Sequence, residues 1–450
     1  MRLHPGGGGN RAMNPSNGQT ETAAQALGVE WSRRRNTLSR DAETTARGKR
    51  LADEIQSHLQ DGSPMNLALS MSCISLPLML AAAFVPAARA QEVTEIGGQK
   101  VVTISRTPVS TTRPEFTSIT IAPGRGMEVL QITANFPGKG EVNVLASPDL
   151  AGAKKMLDVD DDANGDLGYR LGAAFLAPYP NRIRGKLSAD GKTLTTEWEG
   201  HTLTLPANNI GKLPTAERHA MHGLILKAKT DDVKVQNGPS GGEVTGTIHA
   251  GDFGGHWLSK TDLVVTLRLT ADSVDAIIDA KNVGSEAEPI AIAWHPYFNL
   301  PSGDRSQARI HIPADSTAEV DGYDNVFPTG KLAPVQGTRY DLRAPGGVAL
   351  GTNFFDDNWN HLNWKDKAVT VKVTDPKADY GIDIIGLSPE IRAIQMYAPP
   401  ASQYVAIEHQ YNFGDPFGKE WGSTNTGMVT LKPGQSTLWH VRLHVFAPAK

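Results

Sequence analysis

Short runs of alternating apolar and polar residues, separated by glycine, proline, asparagine and aspartate, restrict the fold of this chain more than any other feature. Residues 263–280 show the pattern well: Val265 and Leu267 take one face of a strand, Val264 takes the other, and a turn leads into a second run. Similar runs occur at residues 101–105, 193–198, 202–205, 308–312, 369–373 and 381–385. Because no window of comparable length has a 3.6-residue period, the sequence predicts an all-β fold with few, short helices.

The number of these runs bears on the architecture. Most of the 29 prolines and 45 glycines lie between the runs, and there is no repeat of fixed period and no shift in composition that would mark a second domain. So many strands exceed what one open twisted sheet tolerates. We therefore expect residues 91–450 to form a single domain, a large antiparallel β-sandwich.

The segment of residues 65–90 has the composition of an export signal. It is apolar over residues 67–86 and ends in Ala88-Arg89-Ala90, which predicts a signal peptide cleaved after Ala90. An uncleaved membrane anchor is the alternative, but Pro77 and the small residues at the end favour removal. The mature protein is then expected in the periplasm or secreted, with no attachment to the membrane.

Two further expectations follow from this signal. Residues 1–64 are rich in glycine, asparagine, serine, threonine and arginine, so we expect them to be disordered. Because a signal peptide acts at the N-terminus, we also expect Met65 to be the true start of translation. The single cysteine, Cys73, lies within the signal, so the mature chain would contain no thiol and no disulfide.

The charge balance argues against polyanionic partners. With 44 Lys and Arg against 48 Asp and Glu, the formal net charge is -4. There is no sustained basic stripe and no zinc knuckle, so nucleic acid is not expected to be a ligand.

Two residues stand out as a possible acid and base. His295 follows the apolar run of residues 290–294, and Glu408 closes another apolar run, residues 405–407. Histidine and glutamate have ordinary pKa values of about 6.5 and about 4.3, so one can exchange a proton near neutral pH while the other is ionised. We expect rigid sheet to hold the two groups on opposite sides of one sugar-sized pocket.

Several motifs resemble those of one family, the aldose 1-epimerases or galactose mutarotases, in order and over about residues 101–446. The residues that carry the resemblance are Asn181-Arg182-Ile183-Arg184-Gly185, Met221-His222-Gly223, His295-Pro296-Tyr297-Phe298-Asn299-Leu300, the segment 328–343 with a following aspartate, and Glu408-His409-Gln410. The resemblance implies a galactose mutarotase-like sandwich. It also implies interconversion of the α and β anomers of a free aldohexose such as glucose or galactose.

The family pattern also assigns roles to single residues. By resemblance, Glu408 is the base and His295 the acid, while His222 and Arg182 donate hydrogen bonds to the sugar and Asp356 accepts them. Neither a metal nor another cofactor is implied. Two choices stay open from the residues alone, because Arg184 could replace Arg182 and Asp357 could replace Asp356.

The chain departs from the family pattern at two places, which leaves the preferred sugar open. The histidine motif lacks the second glycine common in the family, and Asp356-Asp357-Asn358-Trp359 replaces the usual Asp-His-x-Phe. Six aromatic residues could stack on a pyranose, although for each of them a place in the core is the simpler interpretation: Trp257, Trp294, Tyr297, Phe355, Trp359 and Tyr397.

Four other functions compete with this one. A glycosidase could use Glu408 and Asp356 as its two carboxylates. A non-catalytic periplasmic carbohydrate-binding protein would keep the pocket without turnover. A hexose-phosphate epimerase would need a cluster of arginines. A metal site could combine His222, His295 and Glu408, but these residues lack the short spacing of a helical ligand pair.

Overall fold

Antiparallel strands dominate the computed structural model, which describes residues 94–211 and 216–448. The expected upstream segment, residues 1–64, and the expected signal peptide, residues 65–90, lie outside the described residues. The described part of the chain belongs to one compact unit and contains thirty strands and one α-helix.

In chain order, the first ten strands are β1 (Glu95–Ile96), β2 (Gln99–Lys100), β3 (Val102–Ser105), β4 (Glu115–Ala122), β5 (Glu128–Phe136), β6 (Gly140–Asn143), β7 (Ala173–Leu176), β8 (Arg182–Ile183), β9 (Lys186–Leu187) and β10 (Thr193–Trp198). The next ten are β11 (His201–Pro206), β12 (Asn209–Ile210), β13 (Arg218–Met221), β14 (Asp231–Gly238), β15 (Gly241–Gly251), β16 (Thr261–Leu269), β17 (Val274–Asn282), β18 (Glu288–Ile290), β19 (Ala293–Asn299) and β20 (Arg309–His311). The last ten are β21 (Ala314–Val320), β22 (Pro328–Pro334), β23 (Val348–Ala349), β24 (Phe355–Leu362), β25 (Val369–Asp375), β26 (Tyr380–Gly386), β27 (Ala393–Ala398), β28 (Tyr404–Gln410), β29 (Val429–Leu431) and β30 (Ser436–Phe446).

Helical structure is scarce in the described residues, as the sequence predicts. The α-helix, α1, covers Leu150–Leu157 and begins at Asp149, whose side chain accepts a hydrogen bond from the backbone of Gly152. Five 3-10 turns complete the helical structure: Pro123–Arg125, Gly168–Arg170, Arg305–Gln307, Pro376–Ala378 and Lys419–Trp421. None of these helices has the length and apolar character that crossing a membrane requires.

Two large sheets form the frame of the described part. One has nine strands in the order β14-β15-β16-β17-β30-β26-β25-β20-β23. The other has eleven, in the order β22-β21-β24-β27-β28-β19-β7-β5-β4-β3, with β6 also paired to β5. The smaller sheets are β1-β2, β11-β10-β9, β12-β13-β8 and β18-β29.

One continuous apolar core contains side chains from both large sheets. Val265 and Leu443 belong to the nine-stranded sheet, Ile394 and Ile407 belong to the eleven-stranded sheet, and all four are buried in the same cluster. Burial of apolar side chains from two sheets against each other is what stabilises a sandwich. The predicted all-β sandwich is therefore confirmed.

The alternation read from the sequence matches the burial of β16. Val265 and Leu267 are fully buried on one face, whereas Val264 and Arg268 on the other face are exposed. The period of two therefore marks the core face of this strand correctly.

The structure corrects the position of the two key residues within their strands. We expected His295 to follow a strand over residues 290–294. Instead, the backbone N–H of Ala291 donates to the carbonyl of Pro178 outside any sheet pairing, and β19 starts only at Ala293. His295 therefore lies inside β19, and Glu408 lies inside β28. Backbone on both sides of each residue is held in the sheet, which makes both positions rigid.

Candidate active site

A cavity of about 490 Å³ opens beside the central strands of the eleven-stranded sheet. Strands β24, β27, β28 and β19 are consecutive neighbours there and supply much of its wall. The side chains around the cavity are Tyr169, Arg170, Asn181, Arg182, Asn209, Met221, His222, His295, Tyr297, Asp356, Gln395, Tyr397, Tyr404 and Glu408.

Strand register explains why residues far apart in sequence meet here. Gln395 lies directly opposite Glu408 across the β27–β28 pair, and Asp356 lies opposite Tyr397 across β24–β27. Directly opposed residues in an antiparallel pair point to the same face of the sheet. The intervening residues, such as Ile407, point into the sandwich core.

The imidazole and the carboxyl group predicted to do the chemistry are in direct contact. His295 Nε2 lies 3.2 Å from Glu408 Oε1, and the side chains are 5% and 1% exposed. The expectation that they face each other from opposite sides of the pocket is therefore wrong. Because β19 and β28 are paired neighbours, the two side chains are adjacent on one wall of the cavity.

Burial determines how this pair holds protons. It lowers the pKa of His295 to about 4, with a further contribution from the positive charge of Arg182. It raises the pKa of Glu408 to about 8, although the hydrogen bond from Gln410 opposes the shift. Between these pH values the pair holds one proton, on Glu408, and both groups are uncharged. This differs from the ionised glutamate expected from ordinary pKa values.

A tight turn brings His222 to the same cavity. His222 and Gly223 both have left-handed backbone, with φ of 59° and 77°. The backbone N–H of His222 donates to the carbonyl of Asn181. A Cβ at Gly223 would lie 2.3 Å from the carbonyl oxygen of Ala177, so only glycine fits after the histidine.

The His222 ring packs against the neighbouring rings of the cavity. Its centroid lies 5.0 Å from that of His295 and 4.7 Å from that of Tyr169, in both cases edge to face. Burial lowers its pKa well below the ordinary value, and the charge of Arg182 and the charge that His295 gains on protonation act in the same direction. His222 is therefore neutral near pH 7, and its buried Nδ1 has no hydrogen-bond partner among the described residues.

A closed ring of four hydrogen-bonded side chains borders the cavity. Arg182 Nη2 donates to Asp356 Oδ2 at 3.0 Å, and Arg182 Nη1 donates to Asn181 Oδ1 at 3.1 Å. Asn181 Nδ2 donates to Gln395 Oε1 at 3.1 Å, and Gln395 Nε2 donates to Asp356 Oδ1 at 2.9 Å, which closes the ring. All four side chains are buried, so the ring fixes Arg182 and Asp356 in one orientation.

A branch of the same network reaches the acid–base pair. Gln410 Nε2 donates to Glu408 Oε2 at 2.8 Å, and Gln410 Oε1 accepts from Asn181 Nδ2 at 3.4 Å. Asn181 thus joins the ring around Asp356 to the carboxyl group of Glu408. The hydrogen bond from Gln410 leaves Oε1 as the carboxyl oxygen that meets His295.

The structure separates the pairs of neighbours between which the sequence could not choose. Asp356 borders the cavity, whereas Asp357 points to the other face of β24 and accepts from the hydroxyl of Tyr323 at 2.7 Å. Arg182 borders the cavity, whereas Arg184 lies outside it and forms an ion pair with Glu217 at 3.0 Å. The five predicted site residues, His295, Glu408, Arg182, His222 and Asp356, all border the one cavity.

Of the six aromatic candidates, two border the cavity. These two are Tyr297 and Tyr397. Two further tyrosines that the sequence did not indicate, Tyr169 and Tyr404, lie beside them. The other four are buried in the core: Trp257, Trp294, Phe355 and Trp359.

Sequence reasoning did not select several polar residues of the site. Asn181 and Gln410 lie inside the motifs around Arg182 and Glu408, so their position beside those residues was a usable signal. Gln395 is a polar residue among apolar neighbours in β27 and could have been noticed as a break in the core pattern. Arg170 lies between strands and gives no such signal.

The described residues show no arrangement of three or more histidine, cysteine, aspartate or glutamate side chains that could hold a metal ion. This includes the combination of His222, His295 and Glu408 considered from the sequence. In place of a ligand set, the structure gives an edge-to-face contact between the two histidine rings and a 3.2 Å contact between His295 Nε2 and Glu408 Oε1.

Sequence comparisons relate this chain to known sugar isomerases. The family model described as aldose 1-epimerase matches residues 150–444, more than half of the chain. Galactose mutarotase from Homo sapiens is 36% identical over 114 residues, which cover 25% of this chain and 31% of the human protein. Galactose mutarotase from Sus scrofa is 30% identical over 141 residues, covering 29% of this chain and 40% of the pig protein. These alignments span less than half the length of either relative.

Solved structures share the fold over a larger part of the chain. A galactose mutarotase-like protein from Clostridium acetobutylicum matches with a TM-score of 0.61 and 18% identity, over 78% of this chain and 97% of that structure. An aldose epimerase homologue from C. elegans matches with a TM-score of 0.58 and 17% identity, over 78% and 99%. At such identities the likeness shows the fold alone.

Proposed function

The chain belongs to the aldose 1-epimerase family, and from this premise we propose that it interconverts the α and β anomers of a free aldose by general acid–base catalysis. The observation that carries the proposal is the contact between His295 and Glu408 at 3.2 Å beside a cavity of about 490 Å³. A cavity of this size can hold a monosaccharide with most of its surface buried.

The reaction needs one proton donor and one proton acceptor near a single carbon. A base takes the proton of the C1 hydroxyl, the freed electron pair forms the C1 carbonyl, the bond from C1 to O5 breaks, and an acid protonates O5. Rotation about the bond from C1 to C2 presents the other carbonyl face, and closure reverses each step. No atom is gained or lost.

The proton content of the His295–Glu408 pair suits this sequence. With the pKa of His295 lowered to about 4 and that of Glu408 raised to about 8, the pair holds one proton and has one free acceptor at neutral pH. O5 and the hydroxyl oxygen at C1 are bonded to the same carbon. Two side chains in contact, His295 and Glu408, can therefore exchange protons with both oxygens. The family assignment has Glu408 as the base on the C1 hydroxyl and His295 as the acid on O5, which requires the proton to pass from Glu408 to His295 across their 3.2 Å contact before the ring opens. Ring closure then exchanges donor and acceptor.

The remaining polar side chains would hold the sugar. Arg182 and His222 border the cavity and would donate to sugar oxygens, and Asp356, already fixed by Arg182 and Gln395, would accept from hydroxyl groups. The orientation of Arg182 and Asp356 is set before substrate arrives, because the hydrogen-bond network that holds them consists of protein side chains. Such preorganisation reduces the entropy cost of binding.

Polarimetry of freshly dissolved α-D-glucose and α-D-galactose tests the proposal. The wild-type protein should accelerate relaxation, and His295→Asn should lower kcat by about 10²–10⁴-fold, the usual contribution of one general acid or base. His249→Asn is a matched control, because His249 is exposed and pairs with Asp262 away from the cavity.

The same experiment distinguishes the competing functions. Wild-type protein that binds sugar but leaves its relaxation unchanged would be a carbohydrate-binding protein. Release of sugar from an aryl glycoside would favour a glycosidase that uses Glu408 and Asp356, both of which border the cavity. Either outcome would contradict the proposed mutarotation.

We also propose that the protein is exported, on the basis of the apolar segment that ends in Ala88-Arg89-Ala90. N-terminal sequencing of the native product should give Gln91 as the first residue, and the protein should be recovered from the periplasm or the medium. A native product that begins before Met65 would contradict both the signal peptide and the proposed start.

A further inference from the structure

Arg170 is an exposed cation at the active-site cavity, and no carboxylate of the described residues forms an ion pair with it. It is the last residue of the turn Gly168–Arg170, and its side chain borders the cavity. Its guanidinium lies over the ring of Tyr169, 5.9 Å from the centroid. In the described part of the chain, no Asp or Glu oxygen lies within ion-pair distance of it, in contrast to Arg182, which pairs with Asp356 at 3.0 Å.

Asp166 lies four residues before Arg170, and the charges of the two side chains interact. Its carboxylate accepts from Asn208 Nδ2 at 2.6 Å and makes no ion pair with Arg170. Burial raises the pKa of Asp166. The carboxyl group of Asp166 therefore offsets part of the charge of Arg170 from outside ion-pair distance and does not occupy the hydrogen-bond donors of the guanidinium.

The charges around the cavity leave an excess of one positive unit. Arg182 and Asp356 cancel each other, and the contact pair of His295 and Glu408 holds a single proton and carries no net charge. The guanidinium of Arg170 has no acidic counterpart among the described side chains that line the cavity, because Asp166 lies outside that lining. A cavity that presents one uncancelled guanidinium favours a ligand that carries one negative charge.

The position of Arg170 connects it with the reaction centre. Tyr169, the preceding residue, packs its ring against His222 at 4.7 Å and lies 6.1 Å from the ring of His295. The reactive groups are buried, whereas Arg170 is exposed and Tyr397 and Tyr404 are partly exposed. Arg170 thus lies at the outer part of the cavity, where a substituent of a bound sugar would meet it.

We propose that the substrate of this site is an aldose that carries a carboxylate, such as a hexuronate, and that Arg170 binds this carboxylate. The inference rests on the proposed mutarotation and adds the substrate class. A guanidinium and a carboxylate match as two planar, doubly hydrogen-bonding groups of opposite single charge. A phosphate ester carries close to two negative charges and would need a second free cation, which the described lining does not supply, because Arg182 is already paired.

Anomer exchange measured by magnetisation transfer between the H1 signals tests this assignment. The substrates are D-galacturonate, D-galactose and D-glucose 6-phosphate, each with the wild type, Arg170→Gln and Arg170→Lys. The ratio of kcat/KM for galacturonate to that for galactose should fall at least about tenfold in Arg170→Gln, mainly through KM. Arg170→Lys should restore part of the ratio, because it keeps the charge but loses the planar fork.

A second arginine provides the matched control. Arg392 is exposed and borders a different cavity, beside Trp364 and Phe413. Arg392→Gln should leave the ratio unchanged. Raising the NaCl concentration from about 0.05 M to about 0.5 M should lower kcat/KM for galacturonate in the wild type and have less effect in Arg170→Gln, because salt screens an exposed charge pair.

Each result decides between specific conclusions. An unchanged ratio in Arg170→Gln, with galactose still converted, would overturn the role of Arg170 and leave the mutarotation intact. Preference for glucose 6-phosphate over galacturonate, lost in Arg170→Gln, would overturn the carboxylate assignment in favour of a phosphate. Failure of the wild type to accelerate exchange of any of the three sugars would refute the proposed function itself.

Discussion

Burial controls the chemistry of the single residues at this site. His295 and Glu408 are almost inaccessible to water, and desolvation disfavours the charged form of each. The shifts have opposite directions, down for the imidazole and up for the carboxyl group, so the pair stays neutral with one shared proton over a wide pH range. Ring opening requires this one-proton state.

The pH dependence of kcat/KM should reflect these shifts. We expect a plateau near neutral pH, with activity lost below about 4, where the pair gains a second proton, and above about 8, where it loses its only one. The two limbs report macroscopic pKa values of the coupled pair. The measurement is initial-rate polarimetry across the pH range after subtraction of the spontaneous rate. A single limb with a midpoint near 6.5 would contradict the assignment.

Gln410 is expected to act as a positioning residue for Glu408. Its amide donates to Glu408 Oε2 at 2.8 Å and lowers the pKa of that carboxyl group. Gln410→Met should therefore move the alkaline limb to higher pH and reduce kcat by about tenfold, with a smaller effect on KM. Gln403→Met is the control, since Gln403 is exposed. A loss of stability with an unmoved alkaline limb would show a purely structural role.

Strands and turns decide which side chains reach the cavity. Along β24 the side chains alternate, so Asp356 borders the cavity while Asp357 contacts Tyr323 on the other face. At the end of β13 the turn through His222 and Gly223 needs two left-handed residues in succession, which redirects the imidazole towards β19. Each strand or turn thus determines the direction in which a side chain points as well as where the residue lies.

The same substitution at two adjacent positions tests this alternation. Asp356→Asn removes the charge opposite Arg182 and should raise KM at least about tenfold, equivalent to about 1.4 kcal/mol of binding free energy. Asp357→Asn, one residue along β24, should change KM less than about twofold, because its side chain lies outside the cavity. Steady-state polarimetry gives both values. Equal effects of the two substitutions would show that β24 presents a different face.

At the scale of the whole molecule, buried carboxyl groups make stability depend on pH. Burial raises the pKa of Glu408 and of Asp415 to about 8 and that of Glu288 to about 7. At a pH between the unfolded and folded pKa values of such a group, the native state binds more protons than the unfolded state. The contribution of the group to the free energy of unfolding is therefore complete below its unfolded pKa and is lost as the pH rises through its folded pKa.

The buried histidines act in a lower pH range. The pKa of His295 is lowered to about 4, so it binds protons more strongly when unfolded, and its effect increases stability up to about pH 6.5. Above that pH the buried carboxyl groups dominate the dependence of stability on pH. The balance of these opposing effects places maximum stability on the mildly acidic side of neutrality.

The midpoint of thermal unfolding should therefore fall as the pH rises from about 6.5 to about 8.5. Glu288→Gln should reduce this slope, because it removes one raised carboxyl group, and should leave the kcat of mutarotation unaltered, because Glu288 pairs with Thr261 outside the cavity. Differential scanning calorimetry at several pH values provides the measurement. A midpoint that rises over this range would mean that the carboxyl groups are ionised in the native state without penalty.

Local patterns in the sequence were sufficient for the strands and for the identity of most key residues. Alternation of period two is a property of neighbouring residues, so β16 and its buried face could be read without knowledge of its partners. The motifs around His295, Glu408, Arg182, His222 and Asp356 likewise pointed to residues that the structure brings to one cavity.

Tertiary structure alone decided the contacts among those residues. Whether Asp356 or Asp357 faces the sugar, and whether His295 touches Glu408, depend on which face of each strand meets its neighbours and in what register. The proton on Glu408 and the free guanidinium of Arg170 depend on burial and on which partners lie within reach. Sequence neighbours determine how a strand alternates, but only the assembled sheets determine what lies opposite each side chain and how much water remains around it.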